Sequence, residues 1–123
     1  MNIQNIIEQQ HLFTNGMYAR TMKVPHGMLV VGHKHKNSVF NIVTKGTFII
    51  YRIDTGETTQ VSAPSIFITE PGSQKVLVSV GESELINIFR TDKTTIEEAE
   101  KDCVIPSEVD GLLPYERIKL CLQ

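Results

Sequence analysis

The chain has 123 residues, 41% of them hydrophobic and 21% charged, with a net charge of −2 at pH 7. Such a length builds one domain around one core, and the composition is that of an ordinary globular protein rather than a disordered or membrane-spanning one. Residues 1–60 hold six Lys/Arg against three Asp/Glu and residues 61–123 hold six against eleven, so no basic stripe marks double-stranded nucleic acid as a partner.

At the start of the chain, Ile3, Ile6 and Ile7 recur at i, i+3, i+4 within residues 2–10. That spacing fits either a short amphipathic helix or an extended arm, and residues 1–16 are read as a segment outside the main body. The first residues lack the basic segment and apolar run of a secretory signal, which makes a cytoplasmic location the expectation. The apolar run Met28-Leu29-Val30-Val31 is far too short to cross a bilayer, so no membrane partner is expected.

From Met17 onward, short β-like runs alternate with turn residues: 17–24, 28–32, 39–43, 47–53, 58–61, 65–69, 75–80 and 85–90. Breaks such as Pro25-His26-Gly27, Lys45-Gly46, Asp54-Thr55-Gly56, Ala63-Pro64 and Pro71-Gly72 separate them. Regular short strands of this kind predict an all-β barrel over 17–91, and eight runs is the number a double-sheet jelly roll uses. Residues 92–123 then predict a C-terminal helix and tail. Thr94 or Thr95 caps an acidic first turn, Ile96 and Ala99 are expected to face the barrel, and the helix is expected to close near Asp102. The tail carries Leu112, Leu113, Ile118, Leu120 and Leu122, an apolar set that suits a subunit contact and makes a homo-oligomer the expectation. Cys103 and Cys121 show no metal-ligand spacing and are expected to be reduced.

The most informative stretch runs from Gly27 through His33, His35, Val39 and Asn41 to Gly46. In a strand, His33 and His35 would share one face, and Asn41 would join them by parity. This stretch resembles the first motif of the cupin family: a glycine, five residues, His-x-His, a short spacer, a glutamate, and a closing glycine. Pro71-Gly72-Ser73-Gln74-Lys75 is similar to the second motif, in which a histidine follows Pro-x-Gly. The resemblance implies a cupin-type double-stranded β-helix, a jelly-roll barrel with a short N-terminal segment and a C-terminal helix.

The departures shape the functional expectation. Val39, or Phe40 with the longer spacer, stands where the family keeps its metal-binding glutamate, and Lys75 stands where it keeps a third histidine. An ammonium donates only and repels a nearby cation, so a catalytic metal fits poorly. Imidazole and ammonium donors on an apolar wall suit a carboxylate or a phosphate instead. The candidate ligand-binding residues are therefore His33, His35, Asn41 and Lys75, with Arg20 and Arg90 as further cations at the mouth. No catalytic residue is assigned.

A closer resemblance is to small uncharacterised cupins of phage and prophage genomes, carried by Arg20, Val24-Pro25-His26-Gly27, His35-Lys36, Asn41, Lys45-Gly46, Ala63-Pro64 and Lys75. It singles out His35 and Asn41, and it implies a viral protein working in the host cytoplasm. The expectation is a non-catalytic, homo-oligomeric binder of a compact anionic or nucleotide-like molecule, such as a host signalling nucleotide held in sequestration. Two other readings stay open: a metal-dependent isomerase or dioxygenase, and a structural virion component. No cofactor is expected, the exception being a weakly held divalent metal on His33, His35 and His26.

Overall fold

The computed structural model describes residues 7–106. Along these run β1 (Glu8–Thr14), β2 (Met17–Val24), β3 (Leu29–Val31), β4 (Val39–Arg52), β5 (Thr58–Ser62), β6 (Ser65–Thr69), β7 (Lys75–Arg90) and α1 (Ile96–Cys103). The architecture grows from the two long strands, which pair antiparallel from Phe40↔Ile88 to Arg52↔Lys75. The second half of β7 also pairs with β2, and the first half of β4 with β6, giving a five-stranded sheet β1-β2-β7-β4-β6. The other halves pair with β3 and β5, giving a four-stranded sheet β3-β7-β4-β5. Two sheets sharing their central strands make the predicted jelly-roll barrel.

The expected breaks at 44–46 and 81–84 turn out to be bends within continuous strands. The β4–β7 register shifts between Val43 and Lys45 and again between Lys45 and Thr47. An extra residue in one strand kinks it without ending it. Gly46 sits at φ +74°, where a Cβ would lie 2.5 Å from the Glu82 carbonyl oxygen and 2.9 Å from Ser83 Cα. Only glycine fits this crossing. Ser83 Oγ then accepts from Thr47 N at 3.1 Å and donates to Thr47 O at 3.1 Å, closing the joint.

The N-terminal expectation needs correction. Glu8–Thr14 is neither helix nor free arm but a strand paired along the whole of β2, from Glu8↔Lys23 to Thr14↔Met17. The turn between them is Asn15-Gly16 with Gly16 at φ +73°, the dipeptide that closes tight hairpins. Ile7 packs on the core beside this hairpin. Ile3 and Ile6 lie outside the described residues, as do the apolar tail beyond 106 and Cys121.

One end of the barrel is filled by Met22, Val24, Val43, Phe48, Ile50 and Leu85. The other end is covered by α1, which buries Ala99 and Cys103 against Tyr18, Val39 and Phe89. Thr95, not Thr94, is the cap, accepting from Glu98 N at 3.3 Å, and the helix runs one residue past Asp102. Ile96 is exposed rather than turned to the barrel; it is the first residue of the helix, at the end that the barrel does not cover. Cys103 is a free, buried thiol. No helix among the described residues is long and apolar enough to cross a membrane.

The outward positions of the five-stranded sheet form two rows across the strands. One is Leu12–Ala19–Ile88–Phe40–Ile68 and the next is Gln10–Thr21–Ile86–Ile42–Ile66. Leu12, Phe40, Ile66 and Ile68 stand exposed.

Candidate functional site

Side chains alternate across a strand, so the same parity that points those apolar rows outward points their neighbours inward. Inward of the row come Arg20 from β2, Asn87 from β7, Asn41 from β4 and Thr69 from β6. They form a directed chain of hydrogen bonds. Arg20 Nη2 donates to Asn87 Oδ1 at 3.0 Å, and Asn87 Nδ2 donates to Asn41 Oδ1 at 2.7 Å. Asn41 Nδ2 donates to Thr69 Oγ1 at 2.8 Å and to the Val39 carbonyl oxygen at 3.2 Å. Lys75 Nζ, from the start of β7, donates to the same Thr69 oxygen at 2.9 Å. Two accepted bonds occupy both lone pairs of that oxygen, which leaves the Thr69 hydroxyl only a proton to offer.

Asn41 is thus an interior residue whose amide is engaged by four neighbours, Asn87, Thr69 and the Val39 and Phe67 carbonyl oxygens, and it holds the middle of the chain. Arg20 and Lys75 end the chain, each over an aromatic ring: Arg20 lies 5.2 Å from the Phe89 centroid and Lys75 4.8 Å from that of Phe67. Arg20 Nε is shut off from solvent without a hydrogen-bond partner. Neither cation is in an ion pair among the described residues. Burial pushes both below their usual basicity, with the Arg52 charge adding to the effect on Lys75.

These groups line a cavity of about 160 Å³ with Met22, Leu77 and Leu85 on its apolar side and no Asp or Glu in its wall. His33 and His35 also line it. Gln9, Arg20, His33 and His35 are shared with a wider outer chamber of about 710 Å³, bounded on the far side by Ala99, Glu100 and Cys103. The inner cavity therefore opens past Arg20 and the two histidines.

The histidines do not lie on a strand, as parity would require. His35 makes a single bridge with Val104, flanked by Lys36 N donating to Cys103 O and Ile105 N donating to Lys34 O, both at 2.8 Å. Its ring packs at 5.1 Å from that of Phe89, and its Nδ1 is buried without a partner. Burial, followed by the charges of Arg20 and His33, pulls its pKa down to about 4. At neutral pH it is an uncharged imidazole.

Two expected cations and ligands fall elsewhere. Arg90 is exposed and faces outward opposite Met17, one parity step from the inward Phe89, so it does not line the cavity. His26 is exposed at the far turn, where its Nδ1 accepts from Gly81 N at 2.7 Å, so it cannot complete a metal set with His33 and His35. Sequence reasoning passed over Asn87 and Thr69. Both were readable by parity, since the buried Leu85 and Phe89 bracket Asn87 on one face.

No family model matches the sequence, and no curated protein matches it. Solved structures do resemble the fold. KdgF from Halomonas sp. superposes with a TM-score of 0.63 at 16% identity, over 76% of this chain and 87% of that one. A cupin superfamily protein from Desulfitobacterium hafniense gives 0.62 at 10% identity, over 72% and 80%. An RmlC-like cupin from Shewanella frigidimarina gives 0.59 at 22% identity, over 69% and 76%. The fold is a cupin fold.

Within this cupin fold, the metal set that the sequence motifs imply does not fit. The glutamate position is Val39, buried in the wall, and the third histidine position is Lys75. Among the described residues, no three His, Cys, Asp or Glu side chains are grouped to hold a metal ion. A cation brought between the two histidines would face Arg20 and Lys75, which repel it.

Proposed function

We propose that the protein is a non-catalytic binder of a compact anionic small molecule, held inside the barrel on Arg20 and Lys75. One observation carries this reading: two cations share a small cavity whose wall contains no carboxylate. A buried charge left alone is costly, and an anion that accepts from both would offset that cost with charge-assisted hydrogen bonds. The Asn87–Asn41–Thr69 chain supports the reading because each donor points toward the next acceptor and the last hydroxyl remains a donor. His35, neutral, lines the mouth without adding charge.

Isothermal titration with carboxylates, inorganic phosphate, and cyclic and ADP-ribose nucleotides tests the proposal. Saturable heat that disappears in Lys75→Met and Arg20→Met is the expected result. Absence of heat from every anion at high micromolar protein would overturn it. The nucleotide form of the reading, sequestration of a host signalling nucleotide, rests on the phage resemblance of the sequence and is decided by the nucleotide arm of the same titration.

A further inference from the structure

We infer that the ligand carries two separated acidic groups, as a short dicarboxylate does, with one group on Lys75 at the inner end and the other on Arg20 at the mouth. This rests on the anion-binding reading and narrows it. The first argument is charge. The inner wall offers two cations and no acid, so a monoanion would leave one cation unmatched while a dianion answers both.

The second argument is separation. Arg20 and Lys75 are tied to opposite ends of the hydrogen-bonded chain, with the amides of Asn87 and Asn41 between them. Arg20 stands on β2 and Thr69, which holds Lys75, on β6, with β7 and β4 between them, so the two cations sit at separate points of the wall rather than side by side. A single compact group answers one of them, and two carboxylates joined by a short carbon chain are matched to both.

The third argument is size. A cavity of about 160 Å³ is close to one that holds a six-membered ring, which suits a short dicarboxylate. The polarity of the lining fits as well: Thr69 offers a proton, and Lys75 has two N–H groups beyond the one given to Thr69.

Titration calorimetry with acetate, succinate, glutarate and inorganic phosphate reads the inference directly. Succinate or glutarate is expected to bind at least about tenfold more tightly than acetate or phosphate. Lys75→Met and Arg20→Met should each reduce the dicarboxylate to the acetate level, while Lys75→Arg keeps most of the preference; circular dichroism checks that each variant is folded. If acetate or phosphate binds as tightly as the dicarboxylates and both Met variants still lose it, the anion site stands and the two-group inference falls. If none of the probes, nucleotides included, gives heat, both fall together.

Discussion

The two faces of the five-stranded sheet invert the usual arrangement. At the level of Phe40, Ile68 and Ile88 the outward face is apolar, while the inward face carries Arg20, Asn87, Asn41 and Thr69. One strand step lower, Met22, Leu85 and Val43 restore an ordinary core. The difference teaches that apolar packing and oriented polar groups are divided along the barrel axis. The lower half is filled by apolar side chains alone, and the upper half, beneath the cluster that α1 covers, holds the hydrogen-bonded chain and its two cations.

The lower half should give the largest effect. Phe48, 1% exposed, loses packing on all sides in Phe48→Ala, and chemical denaturation should show about 3–5 kcal/mol less stability. A loss below about 1 kcal/mol would break the division. In the upper half, Asn41→Leu leaves Asn87 and Thr69 with unmet hydrogen bonds. Denaturation should register about 1–3 kcal/mol, and ligand heat should vanish with it.

The pH dependence is next. Free His35 would titrate near 6.5 in the unfolded chain but near 4 in the fold. Below pH 6.5 the unfolded state therefore takes the proton first. Stability should be full above about pH 6.5 and fall as pH drops toward 4, by roughly 3 kcal/mol. His11, lowered by burial and Arg20, acts in the same direction. His35→Asn should flatten much of this slope, and a slope unchanged in that variant would contradict the burial of the ring.

The smallest effect is the sharpest test of the contrast. Lys75→Met removes a desolvated cation without an ion-pair partner, and Thr69 keeps its bond from Asn41. Unliganded stability should stay level or rise by about 1 kcal/mol, while anion binding is lost. Equal losses of stability and binding would mean that Lys75 serves the fold after all.

How far the sequence foretold this follows from strand parity and turn chemistry. β2 and β6 emerge with the expected bounds, because both are short, alternating and flanked by turn residues. β4 and β7 were each split in two because Gly46 and Gly81 look like loop residues when read alone. Only the partner strand shows that they bend a ladder rather than end it. β1 was missed because its inward residues are Gln9, His11 and Phe13 while Leu12 faces out, which scrambles the alternation. Asn15-Gly16 was the available signal.

In the candidate site, the His-x-His motif led to residues that line the cavity, by an argument the structure does not follow. His33 and His35 reach the cavity from a loop, whereas strand parity was the argument that placed them. Arg20 and Arg90 were equal candidates in sequence, and only the register separates them. The hydrogen-bonded chain needed four strands brought side by side, and linear spacing carries no trace of that.

The bridge between His35 and Val104 has a mechanical consequence. With Lys36 bonded to Cys103 and Ile105 to Lys34, the loop bearing both imidazoles and the chain leaving α1 are laced into one ribbon. A push on the helix from outside is delivered to the ring at the cavity's entrance. Proton resonances of that imidazole would therefore serve as a gauge of helix position, sensing from inside the molecule a tug applied to its exterior.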